Sequence, residues 1–267
     1  MTPEKKILSL KKIIAGYGSC LVAFSGGLDS TFLLKVASLV LPRNKLLAVT
    51  ANSATYPKEE LISSRNIARG LRVRHKVINT QELKDKRFIS NPIERCYFCK
   101  SELFKKLKKL AFKEGLAEVL DASHISDDSD YRPGSKALKE LKVRSPLKEA
   151  LISKEEIREL SKKLGLATWN KPSQACLASR IPYGRKISPK LLKRIERAES
   201  VLRKLGFLQV RVRDYQQLCR IEVFKKDIPL FLKSREQIVD KMKKLGYNYV
   251  TLDLEGFRSG SINEVIR

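Results

Sequence analysis

Residues 20–35 read Cys20-Leu-Val-Ala-Phe-Ser-Gly-Gly-Leu-Asp-Ser-Thr-Phe-Leu-Leu-Lys35. A short apolar stretch, Leu21 to Phe24, enters Ser25-Gly26-Gly27-Leu28-Asp29-Ser30, and an apolar pattern of helical period leaves it. A strand, a tight glycine turn and a helix start, in that order, offer backbone N–H groups and a positive dipole end to an anion. Gly26 and Gly27 permit backbone angles and a close approach that a Cβ would block. Ser25, Ser30 and Thr31 add hydroxyl donors. The loop lacks the Gly-Lys-Ser/Thr ending of a Walker A turn and is not a G-x-G-x-x-G dinucleotide turn. The plainer reading is an ordinary βα turn with Ser30 as a helix cap.

The flanking pattern extends the same theme. After an opening helix near 3–16, strand-like runs at 21–24, 46–50, 73–78 and 118–122 alternate with helical patterns near 30–41, 57–70 and 96–114. Such alternation predicts an α/β fold with a doubly wound parallel sheet, whose ligands bind at the carboxyl ends of the strands. Ser153-Lys-Glu-Glu156 reads as a capping box that starts a further helix. Periodicity stops between about 166 and 187, a stretch too long for a casual connector. Beyond it, a helix at 188–205, strands at 209–212 and 218–223, a helix at about 229–245 and a strand at 249–254 predict a second, smaller α+β unit. We place the domains at 1–165 and 166–267.

With 267 residues, 42% of them hydrophobic, and 13 Gly and 10 Pro, the chain has the composition of an ordered globular protein. No run approaches the ~20 apolar residues of a membrane span. The opening Met-Thr-Pro-Glu-Lys-Lys has no secretory apolar core. Five irregularly spaced cysteines do not form a disulfide framework, so a cytoplasmic location is expected. The net charge of +26 would suit nucleic acid or an anionic nucleotide. Most of the lysines, however, fall on the wet faces of amphipathic helices, and no basic block interleaved with aromatics marks an RNA surface.

Cys176 lies in the irregular stretch beside Lys171, Ser173, Ser179 and Arg180. A thiol becomes a reactive thiolate where it is partly exposed and near positive charge, which Lys171 and Arg180 could supply. The alternative is a small buried hydrophobe. Arg211 and Arg213 are two apart on a predicted strand, so they share a face and could clamp a phosphate; an exposed basic edge strand is the other reading. Asp127, Asp128 and Asp130 are either ligand-facing or a solvated acidic turn. Cys96 and Cys99 make half of a zinc pattern with nothing to complete it, and His75 and His124 are isolated, so a structural or helix-start role is expected there. Cys20 and Cys219 read as core.

Ser-Gly-Gly-x-Asp-Ser resembles the PP-loop of the ATP pyrophosphatases (adenine nucleotide α-hydrolase-like), which cleave ATP between its α and β phosphates and adenylate a substrate. Four further stretches make the resemblance specific: Lys171-Pro-Ser-x-Ala-Cys-Leu-Ala-Ser-Arg-Ile-Pro-Tyr-Gly184, Arg95-Cys-Tyr-Phe-Cys-Lys100, Asp127-Asp-Ser-Asp-Tyr-Arg-Pro-Gly134 and Gly256-Phe-Arg-Ser-Gly-Ser-Ile-Asn263. Together they resemble the LarE family of ATP-dependent sacrificial sulfur transferases nearly end to end. One departure is Asp121-Ala-Ser-His124, where the family pattern has Asp-Gly-x-Asn.

The resemblance implies a nicotinate-derived substrate, pyridinium-3,5-biscarboxylic acid mononucleotide, on the way to a nickel-pincer cofactor. ATP would adenylate a carboxylate, Cys176 would displace AMP to form a thioester, and C–S cleavage would leave dehydroalanine. It further implies that Ser25, Gly26, Gly27, Asp29, Ser30, Asp127 and Asp128 hold ATP, with Mg2+ on Asp29 and Asp128. Ser179, Arg180, Arg211, Arg213, Arg220 and Glu222 would hold the substrate, with Arg258 and Ser261 in the matching tail. Some relatives carry an iron–sulfur cluster on three cysteines, which Cys96, Cys99 and Cys176 leave open. A PP-loop tRNA-thiolating enzyme is the alternative, although no RNA-binding module is recognisable. We expect a homo-oligomer that does not contact membranes.

Overall fold

The computed structural model describes residues 2–129, 132–172 and 174–266, which divide into two compact units. The first comprises Met1–Ser53, Lys58–Glu82 and Glu94–Gln174. Its sheet is built from β1 (Cys20–Ala23), β2 (Leu46–Asn52), β3 (Arg74–Asn79) and β4 (Glu118–Leu120), in the order β3-β2-β1-β4 with every pairing parallel. Alternate side chains serve opposite faces, as strand geometry requires. Cys20, Val22, Leu46 and Ala48 enter one core with Leu10, Ile14, Phe32 and Leu33. Leu21, Leu47 and Val49 enter the other with Phe104, Leu107 and Val119. Both faces are therefore covered, and the predicted doubly wound α/β fold is what the chain adopts.

The chain leaves β1 towards β2 on one side, while β4 adds on the other side of β1. The order therefore reverses beside β1, and the crevice at its carboxyl end is where such folds bind ligands. Ser25-Gly26-Gly27 occupies that end. The helix that follows, Leu28–Val40, buries Leu28, Phe32, Leu33, Leu34 and Val36. The capping box predicted at Ser153 is present and opens the helix Lys154–Lys163. Strand β4 ends two residues earlier than predicted because the Asp121 side chain accepts the Ser123 N–H at 2.9 Å and turns the backbone.

The second unit comprises Ala54–Pro57, Leu83–Ile93 and Ala175–Arg267. Its sheet has β5 (Val210–Tyr215), β6 (Leu218–Val223) and β7 (Tyr249–Leu252) in the order β5-β6-β7. Pair β5–β6 is antiparallel and β6–β7 parallel. Val210, Val212, Cys219, Ile221 and Val223 pack against Ala198, Leu202, Phe231, Ile238 and Met242. The helix predicted at 229–245 is two helices, Ile228–Lys233 and Arg235–Lys244, because the backbone at Ser234 (φ −93°, ψ 7°) departs from helical angles. Irregular residues 175–187 are tied to the two excursions: Leu177 N–H donates to Thr55 O at 2.8 Å, and Asn91 Nδ2 donates to Pro182 O at 2.7 Å. Among the described residues no helix is long and apolar enough to cross a membrane.

Candidate functional site

The glycine turn of the first unit is built by contacts that only these residues allow. Gly26 has φ +74°, and a Cβ there would lie 3.0 Å from the Ser64 Cα. Gly27 precedes the helix Leu28–Val40, whose first turn has no side-chain cap. Ser30 does not cap it. Instead its Oγ lies 3.1 Å from the Ser25 Oγ and accepts the Ser25 N–H at 3.3 Å. The helix start thus keeps the uncapped N–H groups and positive dipole end that suit an anion.

Around that turn the fold collects charges from distant sequence. Asp29 sits in the first helical turn, and the Lys154 ammonium lies 2.5 Å from both of its carboxylate oxygens. Lys171 Nζ donates to Gly26 O at 3.1 Å and to Glu60 at 2.7 Å. The positive charge that Lys171 was expected to lend to the cysteine loop is therefore engaged with Glu60 and the glycine turn.

His124 is buried, with Nε2 3.4 Å from Asp127 and 3.9 Å from Asp29. Burial holds its imidazole below the ordinary range even though Asp127 and Asp29 oppose the shift. Asp127 is itself buried, accepts the His124 N–H at 3.1 Å and pairs with Arg132 at 2.8 Å, so it is not a solvated turn residue. The side chain of Asp128 and all of Asp130 lie outside the described residues, as does Ser173. Asp121 is buried too. Burial opposes its ionisation, but Lys100 and hydrogen bonds from Ser123 and Ser145 outweigh that and keep the carboxyl below its usual range.

In the second unit, the sheet face opposite the core carries four of the predicted substrate residues, Arg211, Arg213, Arg220 and Glu222. The register pairs Arg211 with Glu222 and Arg213 with Arg220. Arg213 Nε donates to Glu222 at 2.7 Å, Nη1 to Ser179 O at 2.6 Å and Nη2 to Ser261 Oγ at 2.6 Å. Arg180, fully buried, pairs with Glu199 at 2.6 Å and donates through Nη1 to Ser179 Oγ at 2.8 Å. Ser179 Oγ in turn donates to Cys176 O at 2.7 Å. Cys176 itself is half-buried at the start of the turn Leu177–Arg180.

Arg211 and Arg213 are buried, so they are not an exposed basic edge. Arg211 Nη1 donates to Arg258 O at 2.8 Å, and its guanidinium stacks on Phe257 at 4.2 Å, leaving Nε without a hydrogen-bond partner. Burial, with Arg180 and Arg213 adding repulsion, pulls its pKa down to about 9. The low value records mainly the cost of burying the cation, with repulsion from Arg180 and Arg213 added, and an anion beside it would offset both. Arg220 reaches Glu222 at 3.4 Å and Asp253 at 3.5 Å, and Arg258 pairs with Glu264 and Glu255.

Cys20 and Cys219 are buried as expected, and none of the five cysteines is in a disulfide. Burial pushes both thiols up to about 12, which makes them inert. Cys96 and Cys99 lie three residues apart at the start of the helix Arg95–Lys113, Cys96 exposed and Cys99 partly so. Sequence reasoning missed Lys154, Glu199 and the placement of His124. The His124/Asp127 spacing of three was the one local signal for any of them.

No family model matches the chain. It is 44% identical over 265 residues, 98% of each chain, to an uncharacterized protein of Synechocystis. It is 39% identical over 245 residues, 92% of this chain and 89% of the relative, to the pyridinium-3,5-bisthiocarboxylic acid mononucleotide synthase of Lactiplantibacillus plantarum. An uncharacterized protein of Methanocaldococcus jannaschii is 32% identical over 240 residues, 90% of each chain. With this identity sustained across nearly the whole length of a synthase of that name, the chain belongs to the LarE family.

Proposed function

We propose that the protein transfers sulfur from Cys176 to the carboxylates of pyridinium-3,5-biscarboxylic acid mononucleotide, at the expense of ATP. One observation carries the reading. The half-buried thiol and the buried arginines belong to one unit and are joined through Ser179, which bonds Cys176 O, Arg180 and Arg213. A phosphate on Arg211 and Arg213 would hold the substrate by charge-assisted bonds. The relative's printed name, a bisthiocarboxylic mononucleotide synthase, supplies the substrate class.

The chemistry closes in three steps. A substrate carboxylate attacks the α-phosphorus of ATP, giving an acyl-adenylate and pyrophosphate, which the turn Ser25–Ser30 is suited to hold. The Cys176 thiolate displaces AMP and forms a thioester. Removal of the Cys176 Cα proton forms the Cα=Cβ bond, breaks Cβ–S and releases the thiocarboxylate, leaving dehydroalanine. Each chain gives up one sulfur, so the bisthiocarboxylate consumes two chains unless the sulfur is restored.

The residues present fit Mg2+. Asp29 offers hard oxygens at the helix start, and one or two carboxylates completed by water and phosphate suit this ion. Among the described residues no three His, Cys, Asp or Glu gather into a metal cage. When bound, Mg2+ would screen the phosphate charge. Asp29 would hold it, and the N–H groups at the start of the helix Leu28–Val40 would orient the phosphates.

Intact mass spectrometry after incubation with ATP, Mg2+ and the biscarboxylate nucleotide tests this function. The expected result is the loss of one hydrogen sulfide, mapped to Cys176. An unchanged protein mass with sulfur in the product would refute the sacrificial route.

A further inference from the structure

Asp29 cannot keep its present partner if it is to bind a metal. The Lys154 ammonium spans both of its carboxylate oxygens at 2.5 Å, the position a divalent cation would need. Two cations on one carboxylate repel each other, so a divalent ion arriving at Asp29 weakens the hold of the ammonium. The backbone of Lys154 is fixed as the first residue of its helix by the Ser153–Glu156 capping box, and its N–H donates to Ser126 Oγ at 3.1 Å. Its side chain is a flexible stem about a quarter exposed, and it carries three rotatable donors. The anchor is rigid while the charge can move. A second sign that this network awaits a ligand is His124: 3.9 Å from Asp29 and buried, it has an Nδ1 without a hydrogen-bond partner.

We propose that Lys154 is an exchangeable counter-ion and phosphate-binding residue. It neutralises Asp29 while the glycine turn is empty, then yields that carboxylate to the divalent ion and moves to the pyrophosphate oxygens of ATP. The exchange solves an electrostatic problem. An unpaired Asp29 beside the phosphates would repel them, and a permanently paired one could not take the metal. The inference rests on the ATP-dependent reading above and adds to it a residue 125 positions away in sequence.

The test uses Mn2+ as an electron paramagnetic resonance probe without nucleotide, and calorimetry of pyrophosphate with Mg2+, on the full-length protein. Lys154→Met should bind Mn2+ roughly tenfold more tightly than the parent, because the competing ammonium is gone. The same variant should bind pyrophosphate roughly tenfold more weakly, and Lys154→Arg should restore that binding. Unchanged values in Lys154→Met, or a parallel loss of both ligands with unchanged circular dichroism, would overturn the exchange and reduce the contact to a structural ion pair. If Lys154→Met does not fold, Lys154→Gln provides the same comparison. Failure of the parent protein to bind pyrophosphate or ATP would instead remove the nucleotide reading itself, and this proposal with it.

Discussion

Replacing Arg211 with methionine should make the protein more stable and less able to bind its substrate. The fall of the Arg211 pKa from 12.5 to about 9 corresponds to roughly 5 kcal/mol of unfavourable surroundings for the cation. Against this stand the Nη1 hydrogen bond to Arg258 O, worth about 1.5–3 kcal/mol, and the stacking on Phe257, worth about 2 kcal/mol. Methionine keeps apolar contact with Phe257 and brings no charge. The balance favours Arg211→Met by about 1 kcal/mol, or a melting point roughly 2–4 °C higher. Saturating substrate nucleotide should stabilise the parent by about 2.7 kcal/mol at a hundred times Kd, raising its melting temperature, and should raise that of the variant far less. Differential scanning calorimetry with and without the nucleotide reads both effects. A variant that melts several degrees lower and still responds fully to the nucleotide would refute the argument that this buried cation is destabilising until an anion pairs with it.

Three further outcomes follow from the geometry. Gly26→Ala should lower the urea midpoint by an amount equivalent to about 1–2 kcal/mol, because φ is +74° and Ser64 stands 3.0 Å from the new Cβ; an unchanged midpoint would contradict the tight turn. Cys176→Ser should fold with stability within about 0.5 kcal/mol of the parent and still release pyrophosphate, yet yield no thiocarboxylate by mass spectrometry. Stability that Asp121 contributes through its depressed pKa is present above its ordinary value of 3.8 and lost as pH falls below that towards the folded value. Asp121→Asn should therefore lose less stability than the parent as the pH falls below 3.8 in acid titrations followed by circular dichroism.

Features governed by near neighbours could be read directly from the chain. The Ser25–Ser30 turn, the alternation of strand and helix and the Ser153 capping box depend on φ restrictions, side-chain period and bonds spanning a few residues. The pairing of Arg211 and Arg213 on one face follows from strand period, and Leu218–Val223 forms a strand as predicted. The break at Ser234 escaped the pattern because both helices keep the same apolar period across it.

Burial and distant pairing required the folded molecule. The sequence shows Arg211 and Arg213 as charged residues on a strand, which suits an exposed edge as well as a clamp. Only packing reveals that both are buried and that Glu222 and Ser261 hold Arg213. Nothing in the sequence of a chain with net charge +26 marks Lys154, or turns Lys171 towards the glycine turn, yet they converge on Asp29 and Gly26 from 125 and 145 residues away. Local sequence dictates backbone conformation because steric and hydrogen-bonding limits act between neighbours. Which charges meet, and how strongly they act, depends on desolvation and distance in the folded chain, and tertiary structure sets both.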